Sequence, residues 1–397
     1  MSRVGLRQQV ARSVSALAVV CVAGGAMASG CSSAVATRAL ATPALHSPAP
    51  ASPTTVPART PAASPAGCRV GVSWDNYNYV ESGQLPAMNA VFDREGVIAD
   101  EVDSKDSVEY QEAAIDGFVS KGVDVILLRR VSDGSASPAL KRATDAGIGV
   151  VAEERRPENP NVLWVNFDLV EAGRMEARAV LAARPNGNYV IIKGHKGSLE
   201  ADQERQGIGE VLKPALDGGA IKIVAETYTE NWDPNDAMLE MTEILGSARD
   251  PIDAVIVEDD NMASGVIKAL QDRGLEGKVA VGGIGGEQGD PAAVRHLASG
   301  SQLVSIWRDY ARLGNASAQA VVELCTHRDI AVVTGAKPIT SAGGNPMYQV
   351  LLQPQTITRD NLDVILEADA WTKQAVCFDE TLARTLAACK TAATATP

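Results

Sequence analysis

The chain has 397 residues and a formal net charge of −13, with 49 acidic against 36 basic side chains. That balance excludes nucleic acid and an anionic membrane surface as the main partner, because both carry the same sign. Aromatics make up only 4% of the residues, yet five of them are tryptophans, a side chain suited to packing on a ligand face.

The amino end carries targeting signals rather than a fold. Arg3, Arg7 and Arg12 form a positive region, an apolar run follows from residue 14 to 28, and Ala28-Ser29-Gly30 precede Cys31. This is the pattern of a secretory signal peptide over residues 1–30. It resembles the lipobox of bacterial lipoproteins, with Ala28 where Leu is usual, and that resemblance implies lipidation of Cys31 as the mature N-terminus. Residues 31–67 are almost entirely Ala, Pro, Ser and Thr, a composition that cannot offset its ordering entropy and is expected to form a disordered tether. The apolar run is shorter than the roughly 20 residues of a spanning helix. The expectation is an extracytoplasmic protein held to the cell membrane only by lipid on Cys31.

The body starts at Cys68. It holds Cys68, Cys325, Cys377 and Cys389 without a CxxC pair, which argues against a zinc or redox site. In an oxidising compartment disulfides are the default. Cys377 and Cys389 are the expected bridge, and the connectivity of Cys68 and Cys325 is left open.

Short β-branched runs at 69–73, 97–102, 123–128, 149–153 and 162–167 read as strands, with helices at 87–94, 110–121 and 138–146 between them. A second set follows, with strands at 189–193, 221–228, 254–257 and 279–282 and helices at 201–216, 234–245 and 262–273. Continuous apolar strands separated by helices imply parallel sheets covered on both faces. Two such sets imply two doubly wound α/β domains, whose ligands bind beyond the carboxyl ends of the strands. That rule points to Trp74 and Asp75, Arg129 and Arg130, Glu154 and Arg155, Asp168, His195, Trp232, Asp259 and Asp260, and the glycine-rich loop 282–286.

The ordered series Gly71-Val72-Ser73, Lys121-Gly122-Val123-Asp124-Val125-Ile126 and Gly147-Ile148-Gly149-Val150-Val151-Ala152 resembles the periplasmic sugar-binding proteins of ABC importers. Val211-Leu212-Lys213-Pro214, Ile252-Asp253-Ala254-Val255 and Leu351-Leu352-Gln353-Pro354 extend the likeness towards the xylose-binding branch. The resemblance covers residues 69 to about 371 and implies a type I periplasmic binding protein fold, two doubly wound parallel-sheet lobes joined by three crossovers. The crossovers would fall near 167–168, 304–308 and 351–356. The N-terminal lobe would take 68–167 plus 309–350, and the C-terminal lobe 168–308 plus 351–397.

The family pattern also implies binding positions. The Asp-Arg pair of the xylose binders falls on Glu154-Arg155, and the cleft tryptophan falls on Trp232. An Asn-Asp pair falls on Asp259-Asp260, an aspartate near Gly285, an asparagine near Glu200 and a lysine on Arg308. Trp74, Asp75 and Arg129 complete the expected ligand-binding set from the first lobe. Guanidiniums and carboxylates suit a polyol, which both donates and accepts hydrogen bonds.

The competing readings are weaker. The glycine loop lacks the lysine and hydroxyl of a phosphate loop and reads as a turn. His195, Glu200 and Asp202 lack ligand spacing, so no metal is expected. No Gly-x-Ser-x-Gly elbow or Cys-His pair appears, so no enzyme and no cofactor is expected. The resemblance implies a monomeric solute-binding lipoprotein that captures a small polar ligand by hinge closure, a monosaccharide such as xylose or a related sugar, and delivers it to ABC permease subunits. A sensor presenting the same closed form to a membrane receptor or kinase is the alternative.

Overall fold

In the computed structural model the described residues are 64–81, 83–132, 134–285, 292–341, 343–368 and 377. The expected signal peptide, Cys31 and most of the expected tether lie outside them, as does Cys389. Residues 64–67 of the expected tether are among those described. The Cys68 amide donates to the Pro65 carbonyl at 3.0 Å and the Gly67 amide to the Gly96 carbonyl at 2.8 Å, fastening residues 65–67 to the body.

The chain begins with β1 (Arg69–Trp74), α1 (Tyr77–Val80), α2 (Gln84–Glu95), β2 (Ile98–Asp103), α3 (Val108–Lys121), β3 (Val125–Arg129), α4 (Ser137–Asp145), β4 (Gly149–Glu153) and β5 (Leu163–Phe167). The alternation repeats with α5 (Leu169–Ala183), β6 (Gly187–Lys193), α6 (Leu199–Asp217), β7 (Ile221–Tyr228), α7 (Pro234–Ser247) and β8 (Ala254–Val257). It continues through α8 (Asp260–Gln271), β9 (Ala280–Gly285), α9 (Ala292–Ser299) and β10 (Val304–Trp307). Last come α10 (Tyr310–His327), β11 (Lys337–Thr340), β12 (Pro346–Leu352), β13 (Gln355–Ile357) and α11 (Asp363–Glu367).

Two sheets result. The first runs β11-β12-β5-β4-β3-β1-β2 and the second β13-β10-β9-β8-β6-β7. Strands β3 and β8 are buried along their whole length, the pattern of a parallel strand covered by helices on both faces. Neither sheet is purely parallel as expected, since β11 and β13 join antiparallel at the edges. β11 is the first arm of a hairpin with β12, and β13 enters its sheet directly from a crossover, so no helix intervenes to keep either connection parallel.

The chain passes between the sheets three times, after β5, after β10 and between β12 and β13. Two passages lie side by side, the Asp168 amide donating to the Leu352 carbonyl at 2.8 Å. Apolar clusters fill both faces of each sheet, around Val72, Leu127 and Val165, around Ile126, Val150 and Trp164, around Val190, Val255 and Val281, and around Ile191, Ile256 and Ile306. Cys68 and Cys325 form a disulfide inside the first of these, tying the start of β1 to α10 across 257 residues. Cys377 is disulfide-bonded; its expected partner Cys389 lies outside the described residues. No described helix is long and apolar enough to cross a membrane.

Candidate ligand cleft

On the first lobe, β1, β3 and β4 deliver Asp75, Arg129 and Glu154-Arg155 to one edge. Asp75 is buried, and its Oδ2 accepts from Arg155 Nη1 at 2.9 Å and stands 3.6 Å from Arg129 Nε. Arg155 Nη1 also donates to the Arg130 carbonyl at 2.7 Å. One arm of the guanidinium is therefore fixed, and Arg155 lines the cleft. Burial and Arg129 would lower the Arg155 pKa, but Asp75 and Glu154 hold it above its ordinary value.

Glu154 sits in the left-handed region at φ 54, uncommon for a residue with a Cβ. The conformation is held by its carbonyl, which accepts from Trp164 Nε1 at 2.6 Å and Asn166 Nδ2 at 3.3 Å. Its carboxylate is clamped between Arg129 and the Tyr310 hydroxyl, which donates to Oε1 at 2.6 Å. Of eight described non-glycine residues with positive φ, five (Lys105, Asp106, Glu154, Asn231 and Trp232) follow strand ends at this cleft. Such strain concentrates where surrounding structure fixes a functional geometry.

On the second lobe, a single 3-10 turn at Glu230–Trp232 follows β7. The Asn231 amide donates to His195 Nδ1 at 3.2 Å, and Asn231 and Trp232 take φ 51 and 59. This lays the indole on Gly194, where a Cβ would overlap the ring. The start of α6 adds Ser198, Glu200 and Gln203. Arg308, buried at the second crossover, pairs with Glu200, and its amide donates to the Gly285 carbonyl at 2.8 Å. Asp259 caps α8 through the Met262 amide at 2.9 Å.

Between the walls lies a cavity of about 320 Å³, lined by Tyr79, Asp106, Arg129 and Arg155 from the first lobe. Glu200, Asn231, Trp232, Asp259, Asn261 and Arg308 line it from the second. That volume is at the small end of the roughly 300–1,000 Å³ of small-molecule sites. Its formal charges balance, Arg129, Arg155 and Arg308 standing against Asp106, Glu200 and Asp259. A space of about 60 Å³ opens beside it, between Glu154 and Arg155 on one side and Leu199 and Trp232 on the other.

Behind the second wall lies a group of buried carboxyls. Burial pushes Glu176 and Glu204 well above the carboxylate range, Glu258 up to about 8 and Asp260 up to about 6. Glu258 Oε2 accepts from the Gly194 amide at 2.8 Å, and Glu204 lies 3.9 Å from Arg308, so this layer backs the cleft wall. Among the described residues no group of three or more His, Cys, Asp and Glu has the arrangement to hold a metal ion.

Residues 75–329 match the family described as a periplasmic binding protein domain, which spans both walls of the cleft. The chain belongs to that family. The D-xylose-binding periplasmic protein of Escherichia coli (strain K12) is 30% identical over 271 residues, 67% of this chain and 79% of that one. The xylitol-binding protein of Mycolicibacterium smegmatis is 28% identical over 267 residues, 66% of this chain and 69% of that one. A solute-binding protein of an ABC transporter from Clostridium phytofermentans, solved with bound β-D-glucose, superposes with TM-score 0.65 at 22% identity over 77% of this chain and 99% of its own. This periplasmic binding protein is a solute-binding protein, not an enzyme.

Within it, Arg129, Glu154, Arg155, Glu200, Trp232, Asp259 and Arg308 gather at the cleft. Asp75 stands behind Arg155 as its buried anchor. Three expected positions are corrected. Trp74 is fully buried in the apolar cluster on the first sheet, because side chains alternate along β1 and Trp74 takes the core side. Asp260 turns inward, its carboxyl accepting from Gln302 Nε2 at 2.6 Å and Ser305 Oγ at 2.5 Å. Gly285 offers no side chain, and the space where a Cβ would project is filled by that Asp260 carboxyl. Tyr79, Asp106, Asn231 and Asn261 escaped the sequence reading. Each lies one to five residues beyond a strand end or a named residue, which was the available signal.

Proposed function

We propose that this protein captures an uncharged monosaccharide or sugar alcohol of about the size of xylose and, as a lipoprotein anchored through Cys31, hands it to an ABC permease. The observation that carries the reading is the cavity of about 320 Å³ whose two walls present fixed guanidiniums and carboxylates in equal number beside the exposed side of an indole. Hydroxyl groups satisfy both kinds of partner at once, and a sugar's C–H face suits the indole. A net anionic or cationic ligand would leave one set of charges unmatched. The names of two relatives, a xylose binder and a xylitol binder, support the same ligand class.

Ligand contacts to both walls stabilise the closed arrangement of the lobes, the form a permease would read. A thermal-shift panel of pentoses, hexoses, sugar alcohols, inositols and sugar acids tests the assignment. A true ligand at a hundredfold excess over Kd adds about 2.7 kcal/mol of stability. Uncharged pentoses or their alcohols are expected to give the largest shift; a shift with sugar acids alone would overturn the reading.

A further inference from the structure

Gly194 follows β6 at the foot of the cleft wall. Its backbone does not need glycine, because its φ lies outside the positive region where side chains are strained. What needs glycine is the room above it. A Cβ built there would overlap Cη2, Cζ2 and Cζ3 of Trp232, the whole outer edge of the indole.

The backbones of both partners are held, so only the ring itself can give way. The Gly194 amide is held by Glu258 Oε2 at 2.8 Å, inside the buried carboxyl layer. The Trp232 backbone is pinned by the His195–Asn231 bond before it, and by Asp233, which caps α7 through the Asn235 amide at 2.7 Å. Trp232 packs against the apolar cluster around Val190 and Met241 and also lines the cavity.

We propose that Gly194 determines the size of ligand the cleft accepts, by letting the Trp232 indole lie flat on the backbone and out of the cavity. This rests on the reading of the cleft as a sugar site with Trp232 in its wall. A methyl at 194 would need ordinary contact distance, displacing the ring by roughly 1.5 Å into the cavity. Larger ligands would lose most. Gly194 is thus a positioning residue, acting through Trp232.

The test uses the full-length protein as wild type, Gly194→Ala, Trp232→Ala and the double variant, titrated calorimetrically with D-xylose and D-glucose, which differ by one hydroxymethyl group. Gly194→Ala should weaken binding at least tenfold, more for D-glucose than for D-xylose. In the Trp232→Ala background it should change affinity less than twofold. Equal weakening in both backgrounds, or no weakening, would overturn the proposal.

If neither sugar binds wild type, the ligand assignment has failed, and acrylamide quenching of Trp232 in the ligand-free protein decides the inference separately. The Trp232 signal, isolated by subtracting each Trp232→Ala counterpart, should become more accessible in Gly194→Ala; an unchanged signal would refute the displacement. Should Gly194→Ala not fold, the double variant, which removes the obstructed ring, must fold, and its failure would also count against the proposal.

Discussion

Glu153 closes β4 with its side chain fully buried one residue before the cleft carboxylate Glu154. Gln84 Nε2 donates to its Oε2 at 2.5 Å, but burial dominates and pushes the carboxyl from 4.5 to about 7, with Glu154 adding to the rise and Arg129 and Gln84 opposing it. Below pH 4.5 the group is protonated whether the chain is folded or not. As pH rises the unfolded chain loses this proton first, while the folded chain keeps it to about pH 7. Stability present in acid is therefore lost across that window, by roughly 3 kcal/mol for a displacement of about 2.5 units. Glu153→Gln has no proton to lose. Urea unfolding of wild type and variant at half-unit steps from pH 4.5 to 8 isolates the effect, because Glu176, Glu204 and Glu258 titrate alike in both and cancel in the difference. The variant should gain roughly 3 kcal/mol relative to wild type over the range, within a factor of two. Parallel curves would refute the assignment of a proton to this buried site.

Three further outcomes follow from the same structure. Replacing Cys68 and Cys325 together by Ala frees a loop of 257 residues and should lower unfolding stability by about 2–5 kcal/mol in denaturant titrations; an unchanged midpoint would mean the bridge does not constrain the chain. Arg155→Ala removes a charge-assisted donor from the cleft, worth about 1.5–3 kcal/mol, so calorimetric affinity for the bound sugar should fall roughly 10- to 150-fold, and unaltered affinity would place the ligand elsewhere. Cys31→Ala should move the protein from the membrane fraction to the soluble fraction, and identical fractionation of both forms would remove the lipid anchor.

The parallel strands were legible because their burial on both faces leaves an unbroken apolar run, as in residues 125–128 and Ala254–Val257. Helices α5 and α10 were not read, since alanines and glycines replace the large apolar residues that mark a helical stripe. Their caps were nonetheless in the sequence, Asp168 bonding the Glu171 amide and Asp309 the Ala311 and Arg312 amides. The strand-end rule found the region of the cleft but not the facing of each side chain. Trp74 and Asp75 are neighbours, yet one enters the core and the other anchors Arg155, a difference set by the pleat and by Arg155 from a different strand. Asp260 went astray because α8 turns its first residue towards Gln302 and Ser305, a contact made across 45 residues.

Hydrogen exchange read by mass spectrometry, with and without the sugar giving the largest thermal shift, tests most directly that one ligand engages both lobes. Protection should appear together in the segments around Glu154 and Arg155 of the first lobe and around Glu200, Trp232 and Arg308 of the second. Protection confined to one lobe, or lying away from these segments, would contradict capture in the cleft.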